Sequence, residues 1–184
     1  MEQKMTFGNL INELYYGVNI KKMPVEEIVK ILQSKADHFE ELNLQQSLTT
    51  NLVMNLDGNV LQKSYLFTFS KSPVFLIPID SCRIKLTIGK SNSIQKVIDI
   101  QWSMLFNDQI DGSLFFDKLK EKLIPFSSQY KIEKDDWNKG VFAQFSNCEV
   151  SPSQINDITL FFGTSYEYGK CEISLTPFSE FASE

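Results

Sequence analysis

The sequence predicts an α+β protein: a mainly antiparallel sheet of about eight strands, whole or split into two sub-sheets, with two N-terminal helices and one mid-chain helix packed on one face. Three observations carry this. Residues 96–106, KVIDIQWSMLF, place Ile98, Ile100, Trp102, Met104 and Phe106 on one parity and Asp99, Gln101 and Ser103 on the other, the period-2 signature of a half-buried strand. Near the start, by contrast, apolar residues recur at helical spacing. The last third alternates again between turn-forming residues. Burying the five apolar side chains of 96–106 at roughly 2 kcal/mol each is worth on the order of 10 kcal/mol, an upper bound because an unfolded chain already hides part of that area.

In chain order, Thr6 is placed to cap a first helix through Phe7, Leu10, Ile11, Leu14 and Val18, with Gly17 at its C-terminal glycine position. Pro24 fits the first turn of a second helix, and Val25, Ile28, Val29, Leu32, Ala36 and Phe39 form its apolar stripe. Glu26, Glu27, Glu40 and Glu41 give it no Lys/Arg-rich face, so it is read as core-packing and not as a membrane-surface helix.

Leu52, Met54 and Leu56 alternate up to the hairpin signal Asp57-Gly58, and Tyr65, Phe67 and Phe69 alternate on the returning side. Pro73 and Pro78 bracket Val74–Ile77, so any strand there is expected to be short and at an edge or next to a bend. Ile84, Leu86 and Ile88 follow, with a turn at 89–92 leading into the central strand. Val97 and Leu105 interrupt that strand's polar parity, so its ends are expected to be covered.

The polar stretch 107–113, NDQIDGS, reads as an internal seam within a single domain spanning 1–184, dividing two helix-then-meander halves. A third helix, capped by Ser113 and stopped by Pro125, carries Phe116, Leu119 and Leu123. Its spacing matches that of Phe7, Leu10 and Leu14, which raises an internal repeat. Strands at 141–145, 158–162 and 171–175 complete the sheet, with one helical turn at Ser151–Gln154 from the S-x-x-Q capping box.

Composition bounds function by exclusion. The 184 residues carry a formal net charge of −5 and no basic block, which argues against nucleic acid as a partner. No apolar run approaches a membrane span, and the N-terminus lacks a signal-peptide core, so a cytoplasmic protein without a membrane partner is expected. Cys82, Cys148 and Cys171 match no disulfide framework and no C-x-x-C motif, consistent with a reducing compartment.

Gly89-Lys90-Ser91 resembles the end of a phosphate-binding loop, but the first glycine of that motif would fall at Ile84. Asn107–Ser113 has part of a calcium loop's order, but Lys118 stands where a bidentate glutamate is needed. His38, the single histidine, has no second ligand at zinc spacing, and no metal or cofactor is expected. A Cys–His nucleophile and the adjacent pairs Glu26-Glu27, Glu40-Glu41 and Asp135-Asp136 are the remaining catalytic options, the pairs reading as solvated faces.

Two sets of binding residues stand out. Tyr166 and Tyr168 lie between Gly163 and Gly169, where tyrosine offers contact area at low entropic cost. Asp99, Gln101 and Ser103 form the polar row of the central strand. The functional expectation is a noncatalytic binding protein that recognises another protein, of inhibitor, immunity or adaptor type. The alternatives are a binder of a small apolar ligand, with an aromatic pocket drawn from the fifteen phenylalanines between sheet and helix, and a cryptic hydrolase or transferase.

Overall fold

The computed structural model describes residues 7–20, 22–42, 60–91, 94–135, 140–151, 154–165 and 170–176. Its elements are α1 (Phe7–Leu14), α2 (Val25–Lys35), β1 (His38–Leu42), β2 (Val60–Phe69), β3 (Ser81–Ser91), β4 (Ile94–Phe106), α3 (Gln109–Leu123), β5 (Gln129–Asp135), β6 (Gly140–Ser151), β7 (Gln154–Ser165) and β8 (Lys170–Thr176). The strands form one antiparallel sheet in the order β1-β2-β3-β4-β8-β7-β6-β5. Among the described residues there are no separate sub-sheets: two four-strand meanders meet edge to edge where β4 pairs with β8. The α+β class and the antiparallel sheet thus follow from the periodicities in the sequence.

β4 sits in the middle of this sheet. Phe67, Ile84 and Trp102 stand in one cross-strand row, and Phe69, Cys82, Met104 and Ile173 in the next; all seven are buried. Trp102 joins sheet to helices: its indole N–H donates to the Leu14 carbonyl at the end of α1, 3.1 Å away, and its ring stacks at 6.5 Å on Phe115 of α3. Phe115 also meets Phe106 at 5.5 Å, and Phe116 meets Phe162 of β7 at 5.4 Å.

The strict alternation expected of β4 breaks once. Thr87 faces Asp99 but Ile88 faces Val97, so a bulge inserts Ile98 and brings Val97 into the core at 5% exposure. The Ile98 side chain lies outside the described residues. Leu105 is buried on the opposite parity, as its interruption of the polar row implies.

Several element boundaries differ from expectation, each for a local reason. Thr6 lies outside the described residues. α1 ends at Leu14, and buried Val18 lies beyond it. α2 stops at Lys35 with Pro24 as its N-cap, and Phe39 belongs to β1, where its ring packs on Phe67 at 5.3 Å and Tyr65 at 5.6 Å. Asp37 fixes that break, since its carboxylate accepts from the Ser70 backbone N–H at 2.6 Å and the Ser70 hydroxyl at 2.7 Å. β1 is a partner of β2, and the strand expected at 52–56, with the hairpin signal Asp57-Gly58, lies outside the described residues.

Residues 74–77 form no strand. Gly89, Lys90 and Ser91 finish β3 in register with β4, where a phosphate loop would need to lead into a helix. The third helix begins five residues earlier than a Ser113 cap would place it: Asp108 is the N-cap, its Oδ1 accepting from Ile110 N–H at 2.7 Å and Asp111 N–H at 3.0 Å. The supposed calcium-loop stretch is therefore a helix start. Pro125 falls in a single 3-10 turn after α3, as a stop signal should. Finally, Ser151 pairs with Gln154, so the S-x-x-Q segment closes a β6–β7 hairpin and not a helical turn, and β5 is a strand the alternation in this polar segment did not announce.

Candidate functional site

The polar row of β4 lies on the face opposite Trp102, in register with its neighbours. Glu40, Leu66, Lys85 and Gln101 form one cross-strand row; His38, Thr68, Arg83, Ser103 and Ser174 form the next. Leu42, Ser64, Thr87 and Asp99 form a third, in which the buried Ser64 and Thr87 hydroxyls bond to each other at 3.1 Å. Gln101 is exposed, while Asp99 and Ser103 are half-buried. Three strands therefore present acid, base and amide side chains together, all positioned by ladder geometry.

Within this face Asp99 is held in a mixed environment. Burial raises its carboxyl above the ordinary carboxylate value, opposed by the Gln101 amide, which donates to Oδ2 at 3.1 Å, and by the charge of Lys85. A native state that binds this proton more tightly than the unfolded chain loses stability as pH rises through the carboxylate range. Asp99→Asn is therefore expected to raise the melting temperature at neutral pH and to flatten its decline as pH rises above the ordinary carboxylate value, in thermal melts followed by circular dichroism.

Tyr166 and Tyr168 lie outside the described residues; β7 and β8 bracket them, with Ser165 paired to Lys170. The structure thus brings Asp99, Gln101 and Ser103 together on one surface and gives no position for the two tyrosines.

A second feature has no counterpart in the sequence reading. At the end of α1, Gly17 N–H bonds the Asn12 carbonyl at 2.7 Å and Tyr16 N–H bonds that of Glu13 at 2.9 Å, the paired bonds of a Schellman motif. Its left-handed C′ position is thus Tyr16, at φ 56°, with Gly17 one residue later at φ 83°. Glycine was expected at the turn, and a tyrosine occupies the position that favours glycine, at about 1–2 kcal/mol. Three contacts hold it there: the ring stacks on Phe69 at 3.8 Å, the hydroxyl donates to the Lys71 carbonyl at 2.7 Å, and the Tyr16 carbonyl accepts from Lys35 Nζ at 2.5 Å. Tyr16 walls an open cleft of about 480 Å³, shared with Glu13, Lys35, Asp37, Lys71 and Ser72. Ser70 donors hold Asp37 below the ordinary carboxylate range. The advance signal in the sequence was Gly17, which falls one residue beyond the C′ position that Tyr16 takes.

Catalytic options find little geometry. Cys82 is wholly buried on the core face, its thiol pushed up to about 12 by burial, whereas His38 stands on the opposite face of the sheet. The pair cannot meet, and the side chains of Cys148 and Cys171 lie outside the described residues. Glu40 and Glu41 point to opposite faces of β1, Glu41 toward Lys63 at 3.3 Å, and Glu26 and Glu27 are exposed in the first turn of α2. Among the described residues no three His, Cys, Asp or Glu side chains converge as a metal site would need. Likewise, no helix among them is long and apolar enough to cross a membrane. Compared with family models, with curated proteins and with solved structures, the chain matches none.

Proposed function

We propose that this chain is a noncatalytic cytoplasmic binding protein that recognises another protein, in an inhibitor, immunity or adaptor role, through the polar face of β1–β4. The observation that supports it is the registered block of Glu40, Lys85 and Gln101 beside His38, Arg83 and Ser103, fixed on four hydrogen-bonded strands. The backbone beneath such a block is already ordered by the ladder, which confines the ordering cost of association to the side chains. Its mixed signs favour recognition by electrostatic complementarity over attraction to a polyanion.

The test is affinity capture from the source cell, run in parallel with wild type and Lys85→Glu/Gln101→Lys, followed by titration of the retained protein. A partner whose Kd rises at least tenfold in the variant, about 1.4 kcal/mol, supports the reading. A partner that binds both chains equally removes the face from consideration.

A further inference from the structure

The outer edge of the second meander has a pattern that the recognition face does not use. β5 hydrogen-bonds to β6 on one side, and among the described residues no strand pairs with its other side. Residues 129–134 are all exposed, on both faces of the strand. Tyr130 and Ile132 lie on the core-facing side, opposite Phe145 and Ala143, yet stay 51% and 48% exposed while those two partners are fully buried. The core face therefore runs on to the rim of the sheet and ends there uncovered.

Charge on this edge is self-complementary. Lys131 and Glu133 share the other face and form an ion pair within the strand. When two copies of β5 pair antiparallel about a two-fold axis perpendicular to the sheet, outer residues must face outer and inner must face inner, so only registers centred on a residue are allowed. A centre at Lys131 sets lysine against lysine, and one at Glu133 sets glutamate against glutamate. A centre at Ile132 sets Lys131 of each copy against Glu133 of the other, Ile132 against Ile132, and Tyr130 against Lys134, a cation beside a ring.

We infer that β5 is a homodimerisation edge, on which a second copy of this chain adds its own β5 in the Ile132-centred register to make one continuous sheet. The charges that would repel strangers at an open edge also select that single register. One strand per copy is a small interface, so the dimer belongs to the weak class and forms with rising concentration.

Sedimentation velocity from about 1 μM to about 1 mM tests it. Wild type is expected to shift from monomer to dimer and stop there. Lys131→Glu and Glu133→Lys each put like charges across the axis twice, and each is expected to weaken the dimer at least tenfold. Mixing the two variants restores opposite charges across the axis while leaving each strand's own pair repulsive. A heterodimer in the mixture at wild-type strength supports the inference and separates it from any effect on folding. A wild-type monomer throughout, assembly beyond the dimer as a β1-to-β5 junction would give, or variants that dimerise as well as wild type would each overturn it.

Discussion

Trp102→Ala is expected to lower the free energy of unfolding by about 4–5 kcal/mol, measured by urea or guanidinium titration. Truncating a buried tryptophan leaves a cavity between β4 and α3, and removing the indole also strips the Leu14 carbonyl of its N–H donor. Against a typical total of roughly 5–15 kcal/mol, such a loss approaches the threshold of folding. Trp102→Phe separates the two contributions, because it keeps most of the ring and deletes only the donor; a cost of about 1–2 kcal/mol is expected. If Trp102→Ala costs under about 1 kcal/mol, the junction of α1, α3 and the sheet is not where stability resides.

The second large effect concerns two glycines on the sheet face opposite Trp102. The Phe161 ring lies over Gly163 and Gly140, and an added Cβ would come within 2.4 Å of it at Gly163 and 2.3 Å at Gly140. At Gly140 the new atom would also sit 2.8 Å from the Phe162 backbone oxygen. Each alanine substitution is expected to cost about 1–3 kcal/mol through this overpacking. In a Phe161→Ala background the two sites should part company. Gly163→Ala becomes neutral or slightly stabilising, since glycine in a strand is intrinsically unfavourable, whereas Gly140→Ala keeps a cost because a backbone oxygen cannot step aside. Equal rescue at both positions would show that the Phe161 ring is the whole obstacle.

Where burial on one face dictated the pattern, the fold was legible in the sequence. Ile100, Trp102, Met104 and Phe106 are all in the core, as are Ile84, Leu86 and Ile88. What misled was any signal that two structures share. Leu32, Ala36 and Phe39 continue a helical stripe, but Phe39 also matches the inward parity of β1, and the Asp37–Ser70 bonds decide for the strand. Asp108 and Ser113 are both sound caps, and the upstream residue took the role, carrying the helix through what looked like a polar loop. β5 was missed because an edge strand exposed on both faces has no burial to impose alternation.

Of the candidate site, the coplanar row Asp99, Gln101 and Ser103 follows from strand parity alone. Its partners Lys85, Arg83 and Glu40 do not, because register between strands is set by long-range packing that local spacing does not encode. The Tyr16 cleft was equally hidden: it needs α1, α2 and the chain after β2 to meet around one left-handed residue.

The meeting of β4 with β8 bears on how the chain is made. Trp102 faces Leu175 across that ladder, although three strands lie between the two in sequence. At ordinary rates of synthesis, β8 leaves the ribosome on the order of ten seconds after β4. Throughout that interval β4 has β3 on one side and an unsatisfied row of amides on the other, beside Met104 and Phe106. The nascent first half is thus a sheet with a sticky, unfinished border, and newly made chains are most exposed to aggregation before the second meander arrives to close it.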